Sequence, residues 1–80
     1  MNNFRLGNRL RVARAEKRLS QDELAKLAGV TRQTISSIET GQYCPSALLA
    51  FLLSERLGKR VDELFYLEGE NHEGENSSAR

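Results

Sequence analysis

The chain has 80 residues, with 12 Lys plus Arg against 11 Asp plus Glu, a formal net charge of +1, 39% hydrophobic residues, one Cys, one His and no Trp. A chain of this length buries only about 60–65% of its unfolded surface, which supports one compact core and excludes a second lobe or a large catalytic cleft. Its longest apolar run, residues 47–53, is far below the roughly 18 needed to span a bilayer, and the lone Cys44 excludes an internal disulfide, so a soluble, unexported protein in a reducing cytoplasm is expected.

Over residues 4–17, Leu6, Leu10 and Ala13 recur at helical spacing among basic residues, which predicts a first amphipathic helix of about three turns. Ser20-Gln21-Asp22-Glu23 is a capping box and starts a second helix near Gln21. Leu24, Leu27 and Ala28 form its apolar stripe, and Gly29 stands where a left-handed residue ends it. Thr31 caps a third helix running through Glu39, with Ile35 and Ile38 inward and Gly41 as the stop. Pro45-Ser46 opens a fourth helix that Gly58 terminates, and a short fifth helix follows around Asp62-Glu63-Leu64-Phe65. No stretch alternates β-branched and polar residues, so the predicted fold is all-α: a compact five-helix domain over residues 4–67. Residues 69–80 contain one hydrophobic residue, Ala79, and 68–80 are predicted to be a disordered acidic tail.

The second helix, the connection Gly29-Val30-Thr31 and the third helix make a helix-turn-helix of about 20 residues. Ala25 is small where the helices cross closely, Gly29 permits a positive φ, Val30 plugs the elbow, and Ile35 and Ile38 seat the third helix on the core. Here the sequence resembles the Xre/Cro phage-repressor-like (lambda-repressor-like) helix-turn-helix family. The resemblance rests on Arg14, Leu19-Ser20-Gln21-Asp22-Glu23-Leu24-Ala25, Gly29-Val30-Thr31-Arg32-Gln33-Thr34-Ile35-Ser36, Ile38-Glu39, Gly41, Pro45-Ser46 and Leu64-Phe65, and covers roughly residues 5–67. It implies a DNA-binding domain whose third helix enters the major groove of double-stranded DNA, usually as a dimer on a two-fold operator.

Helical geometry agrees with that implication. With Ile35 and Ile38 inward, steps of 100° put Gln33, Ser36, Ser37 and Thr40 on the outer face and Arg32 on its flank. Arg can bond guanine O6 and N7, and Gln can bond adenine N6 and N7. Family positions carried over point to Arg32, Gln33 and Ser37 as base readers, with Thr34 and Ser36 as further candidates; the competing reading is an ordinary solvated face. Gln21, in the first turn of the second helix, matches a family phosphate contact, and Thr40, Gln42 and Tyr43 are further phosphate candidates unless they are turn residues only. Arg9, Arg11 and Lys17 add to this surface if they face the duplex. The resemblance makes Arg14 and Glu39 a structural ion pair joining the first helix to the end of the third.

Charge is unevenly placed. Residues 1–67 hold 11 basic and 7 acidic side chains, and residues 68–80 hold four Glu against Arg80, so a weakly basic body precedes an acidic end. The fourth helix is apolar around its whole circumference. Ala50, Phe51, Ser54 and Leu57 fit inward positions, which leaves Leu48, Leu49 and Leu52, together with Phe65, Tyr66 and Leu67, for a second copy; the alternative is that the tail or a further domain covers them. No catalytic constellation, metal site or cofactor is expected: His72, the single His, has only Glu70 and Glu73 near it. Cys44 reads as an inert thiol or as a redox or ligand sensor. The expectation is therefore a non-enzymatic, sequence-specific DNA-binding regulator acting as a homodimer, with no membrane association and no effector legible. The rival is a helix-turn-helix adaptor or antitoxin-like subunit without DNA readout.

Overall fold

The computed structural model describes residues 3–69. Five helices, α1 (Leu10–Glu16), α2 (Gln21–Ala28), α3 (Arg32–Glu39), α4 (Ala47–Leu57) and α5 (Val61–Leu64), are flanked by two short strands, β1 (Arg5–Asn8) and β2 (Phe65–Glu68). Local signals set most boundaries. The Ser20 Oγ accepts the Glu23 amide at 3.0 Å while the Glu23 carboxylate accepts the Ser20 amide at 2.8 Å, so two amides that α2 cannot satisfy internally are paired. Gly29 ends α2 at φ 72°, in the left-handed region that only glycine enters without cost, and the Val30 amide then bonds back to the Ala25 carbonyl at 3.0 Å. Thr31 and Ser46 cap α3 and α4 through their hydroxyls.

These turns fold the helices onto one core. Leu10, Leu24, Ile35, Ile38, Leu53, Leu57 and Leu64 are fully buried, so every helix contributes at least one. Truncating any of them to Ala would cost about 2–5 kcal/mol in lost burial and cavity formation. Ser54, the buried polar residue of α4, donates its hydroxyl to the Ala50 carbonyl at 2.9 Å and is thereby satisfied.

Three expectations are corrected. The first helix does not run over residues 4–17: residues 5–8 form β1, antiparallel to β2 with Leu6 opposite Leu67 and Gly7 opposite Tyr66. The helical five-element domain is thus extended by a two-stranded ribbon that periodicity in 4–17 disguises. Asn8 breaks the pattern, because its Oδ1 accepts the Leu10 amide at 3.0 Å and starts α1 there. Gly7 admits the Tyr66 ring, since a Cβ there would lie 2.3 Å from Tyr66 Cε1; the Arg9 guanidinium covers the ring at 4.6 Å. Second, Glu68, expected in the tail, lies in the ladder opposite Arg5 and 3.4 Å from it; residues 70–80 of the expected tail, including His72, lie outside the described residues. Third, the inward face of α4 keeps the expected Ala50, Ser54 and Leu57 but takes Leu49 and Leu53 in place of Phe51. Leu49, Ala50, Leu53, Ser54 and Leu57 face the core and Phe51 is exposed, so Leu49 is unavailable to a partner, as is the buried Phe65.

Candidate nucleic-acid interface

The helix-turn-helix presents α3 with its inner edge pinned and its outer edge polar. Ile35 and Ile38 are sealed in the core, while Arg32 and Gln33 are exposed and Ser36 and Ser37 are half-buried. The C-terminal end of α3 is tied down at two points. The Asn8 Nδ2 donates to the Ile38 carbonyl at 3.0 Å, which fastens the ribbon to α3. The second tie is Glu39, whose side chain has no exposed surface.

A buried carboxylate is costly unless its lone pairs are filled. Arg14 fills them from α1 with a fork: Nε donates to Glu39 Oε2 at 2.7 Å and Nη2 to Oε1 at 3.3 Å, while Nη1 donates to the Leu19 carbonyl at 2.9 Å. Gln21 Nε2 donates to Oε1 at 3.1 Å, and the exposed Arg11 reaches the same oxygen at 3.5 Å. Burial pushes the Glu39 carboxyl upward; bonds from Arg14 and Gln21, the charge of Arg14 and the bond from Arg11 together outweigh that and hold it below its ordinary value. Glu39 is thus ionised at neutral pH and joins α1, α2 and α3.

Around this anchor the candidate DNA residues occupy distinct positions. Gln21, Arg32, Gln33 and Ser36 line one polar notch of about 190 Å³ at the facing ends of α2 and α3. Arg32 Nε donates to Gln21 Oε1 at 3.4 Å. Gln33 lies along the helix, with Nε2 donating to Ser37 Oγ at 3.2 Å. Thr34 is half-buried, and its hydroxyl sits 3.0 Å from that of Thr31 within the cap. The Thr40 hydroxyl donates to the carbonyls of Ser36 and Ser37, and the amides of residues 40–43 all turn back onto α3 carbonyls. Free donors after α3 are therefore the exposed side chains of Gln42 and Tyr43. Besides Arg14, Arg11 is the basic residue of the first segment that reaches α3, whereas Arg9 stacks on Tyr66 and Lys17 extends toward Gly58.

Sequence reasoning missed the links from Gln21 to Glu39 and Arg32 and from Asn8 to α3, because each joins residues 11 to 30 positions apart without any local pattern. Among the described residues no cluster of His, Cys, Asp and Glu could hold a metal ion, and no helix is long and apolar enough to cross a membrane.

Comparison with known proteins bears on the same helices. A family model described as helix-turn-helix matches residues 10–64. An uncharacterized HTH-type transcriptional regulator of Bacillus subtilis, YgzD, is 41% identical over 64 residues, covering 80% of this chain and 97% of that one. A protein of the same description from Methanocaldococcus jannaschii is 44% identical over 61 residues, covering 76% and 92%. Among solved structures, the restriction-modification controller protein C.AhdI from Aeromonas hydrophila is similar with a TM-score of 0.65 and 36% identity, over 69% of this chain and 80% of that one. The clp gene regulator ClgR from Corynebacterium glutamicum has a TM-score of 0.65 and 31% identity, over 68% and 57%. The chain therefore belongs to the Xre/Cro-type helix-turn-helix family of DNA-binding transcription regulators.

Proposed function

We propose that this protein is a sequence-specific regulator that binds double-stranded DNA as a homodimer, with α3 in the major groove and a palindromic operator of two half-sites. The observation that carries this reading is the outer edge of α3: Arg32 and Gln33 stand exposed on a helix whose opposite edge is locked into the core, beside Gln21 and Ser36 in one polar notch. Arg32, Gln33, Ser36 and Ser37 supply the base contacts, Gln21, Gln42 and Tyr43 the phosphate contacts, and Thr34 and Thr40 shape the ends of α3.

The exposed apolar side chains support dimerisation. Leu48 is 79% exposed and Phe51 61%, three residues apart on α4, with Leu67 at 71% and Tyr66 on β2. A two-fold dimer sets its recognition helices about 34 Å apart, one turn of duplex. As a DNA-binding regulator it acts in the cytoplasm, by occupying its operator.

Selection from a random duplex pool followed by anisotropy titration tests this directly. A palindromic site should emerge, bound with an affinity that falls as salt rises, and Arg32→Ala and Gln33→Ala should each lower specific affinity without lowering the thermal midpoint. Absence of binding at any salt contradicts the proposal and favours the adaptor role.

A further inference from the structure

We infer that the β1–β2 ribbon is a second DNA-contacting element: the side that carries Arg5 and Tyr66 binds a backbone phosphate beside the C-terminal end of α3, and Glu68 is a built-in competitor that weakens this contact. The inference rests on the DNA-reading role of α3 proposed above.

The pleat decides which side chains share a face. Residues opposite one another in an antiparallel pair point the same way, and neighbours along a strand point opposite ways. The register therefore groups Arg5, Gly7, Tyr66 and Glu68 on one face and Leu6, Phe65 and Leu67 on the other. Leu6 and Phe65 pack on the core, and Leu67 stays with the exposed apolar side chains. The first face is left to a polar notch of about 380 Å³, whose opposite wall is Thr40 and Gly41 at the end of α3. Asn8 fixes the two walls together through its 3.0 Å bond to the Ile38 carbonyl. The notch thus opens immediately before Gln42 and Tyr43, the phosphate ligands proposed for the next loop.

The donors in this notch suit a phosphate. The Arg5 side chain is 71% exposed, and Glu68 meets its Nε at 3.4 Å. The two Nη groups, a fork that fits a phosphate, have no partner among the described residues, and neither does the Tyr66 hydroxyl. The Tyr66 ring that carries this hydroxyl is held against Gly7 and covered by the Arg9 guanidinium at 4.6 Å, so little freedom is lost when it binds. Glu39 also borders the notch, but its charge is taken up by Arg14 and Arg11. Arg5 and Arg9 against Glu68 then leave the ribbon face net positive.

Glu68 separates this role from a structural one. An ion pair this exposed adds little to stability. Its carboxylate stands beside the phosphate that Arg5 binds and repels it. Neutralising Arg5 and neutralising Glu68 therefore act on DNA binding with opposite signs, whereas the two halves of a merely structural bridge act with the same sign.

The test is an anisotropy titration of a selected and an unrelated duplex over a range of salt, using the full chain and the variants Arg5→Gln, Tyr66→Phe, Glu68→Gln and Arg32→Ala. Arg5→Gln should bind both duplexes about 3- to 10-fold more weakly per half-site, with a salt slope shallower by roughly one per half-site, and Tyr66→Phe about 2- to 5-fold more weakly. Glu68→Gln should bind both about 2- to 5-fold more tightly. Thermal midpoints and the selected motif should be unchanged in these three, because phosphate carries no sequence information. A methylphosphonate moved along the backbone should weaken wild type at one flanking position per half-site at which Arg5→Gln is indifferent. Effects of equal sign in Arg5→Gln and Glu68→Gln, or wild-type affinity in Arg5→Gln or Tyr66→Phe, overturn the inference; the reading by α3 then still stands if Arg32→Ala loses the selected motif. Absence of duplex binding by wild type at any salt overturns both.

Discussion

Replacing Glu39 by Ala should be among the most damaging single changes in this domain. Its carboxylate has no exposed surface and satisfies donors from Arg14 and Gln21, with Arg11 close by. Removing one partner of a buried pair costs about 3–5 kcal/mol because the other charge is stranded. Arg14 retains the Leu19 carbonyl and 16% side-chain exposure, which lowers the expected loss to about 2–4 kcal/mol. Against a total stability on the order of 5–10 kcal/mol, that should lower Tm by roughly 10–25 °C. Urea denaturation followed by circular dichroism should give this loss for Glu39→Ala and a similar one for Arg14→Ala. The double variant Arg14→Met, Glu39→Leu should cost less than either, since both charges are gone. DNA binding of the single variants should fall with the folded fraction. A cost below about 1 kcal/mol for Glu39→Ala, or additive losses in the double variant, would refute the reasoning.

The same carboxylate makes stability pH-dependent. Its folded pKa lies below the ordinary 4.5, so its stabilising contribution is complete above that value and is lost as pH falls through the lower folded pKa. Thermal melts from pH 7 to pH 3 should therefore show a steeper acid loss for wild type than for Glu39→Gln. On α4, the double variant Leu48→Asp, Phe51→Asp should sediment as a monomer at tens of micromolar where wild type should sediment as a dimer; both side chains are solvent-exposed, so the fold of the variant should persist. Gly7→Ala forces the Tyr66 ring away and should cost about 1–3 kcal/mol with an altered tyrosine signal. Gly29→Ala meets no atom within 4 Å and should cost about 1 kcal/mol from its positive φ alone.

Where the chain signals its structure locally, the sequence is legible. The capping box at Ser20, the caps at Thr31 and Ser46 and the left-handed glycines 29 and 58 each depend on residues within one turn, and they mark α2, α3 and α4 to the residue. Ile35 and Ile38 are assigned inward because a single polar face leaves no other choice. The ribbon is not legible, since β1 and β2 pair residues about 60 positions apart and Leu6 also fits the helical spacing of Leu10 and Ala13. The face of α4 is ambiguous for another reason: residues 47–53 are all apolar, so a rotation that exchanges Phe51 for Leu53 leaves the pattern equally good. At the candidate site, Arg32 and Gln33 are visible as residue types, whereas what Gln21 holds depends on a carboxylate 18 positions away.

The most direct test of the account is amide chemical-shift mapping by NMR during titration with the selected duplex. The largest changes should fall on Gln21, on residues 32–40 and on Gln42 and Tyr43, with α4 changing little beyond what dimerisation produces. Changes concentrated on α4 and the ribbon, with residues 32–40 unaffected, would contradict it.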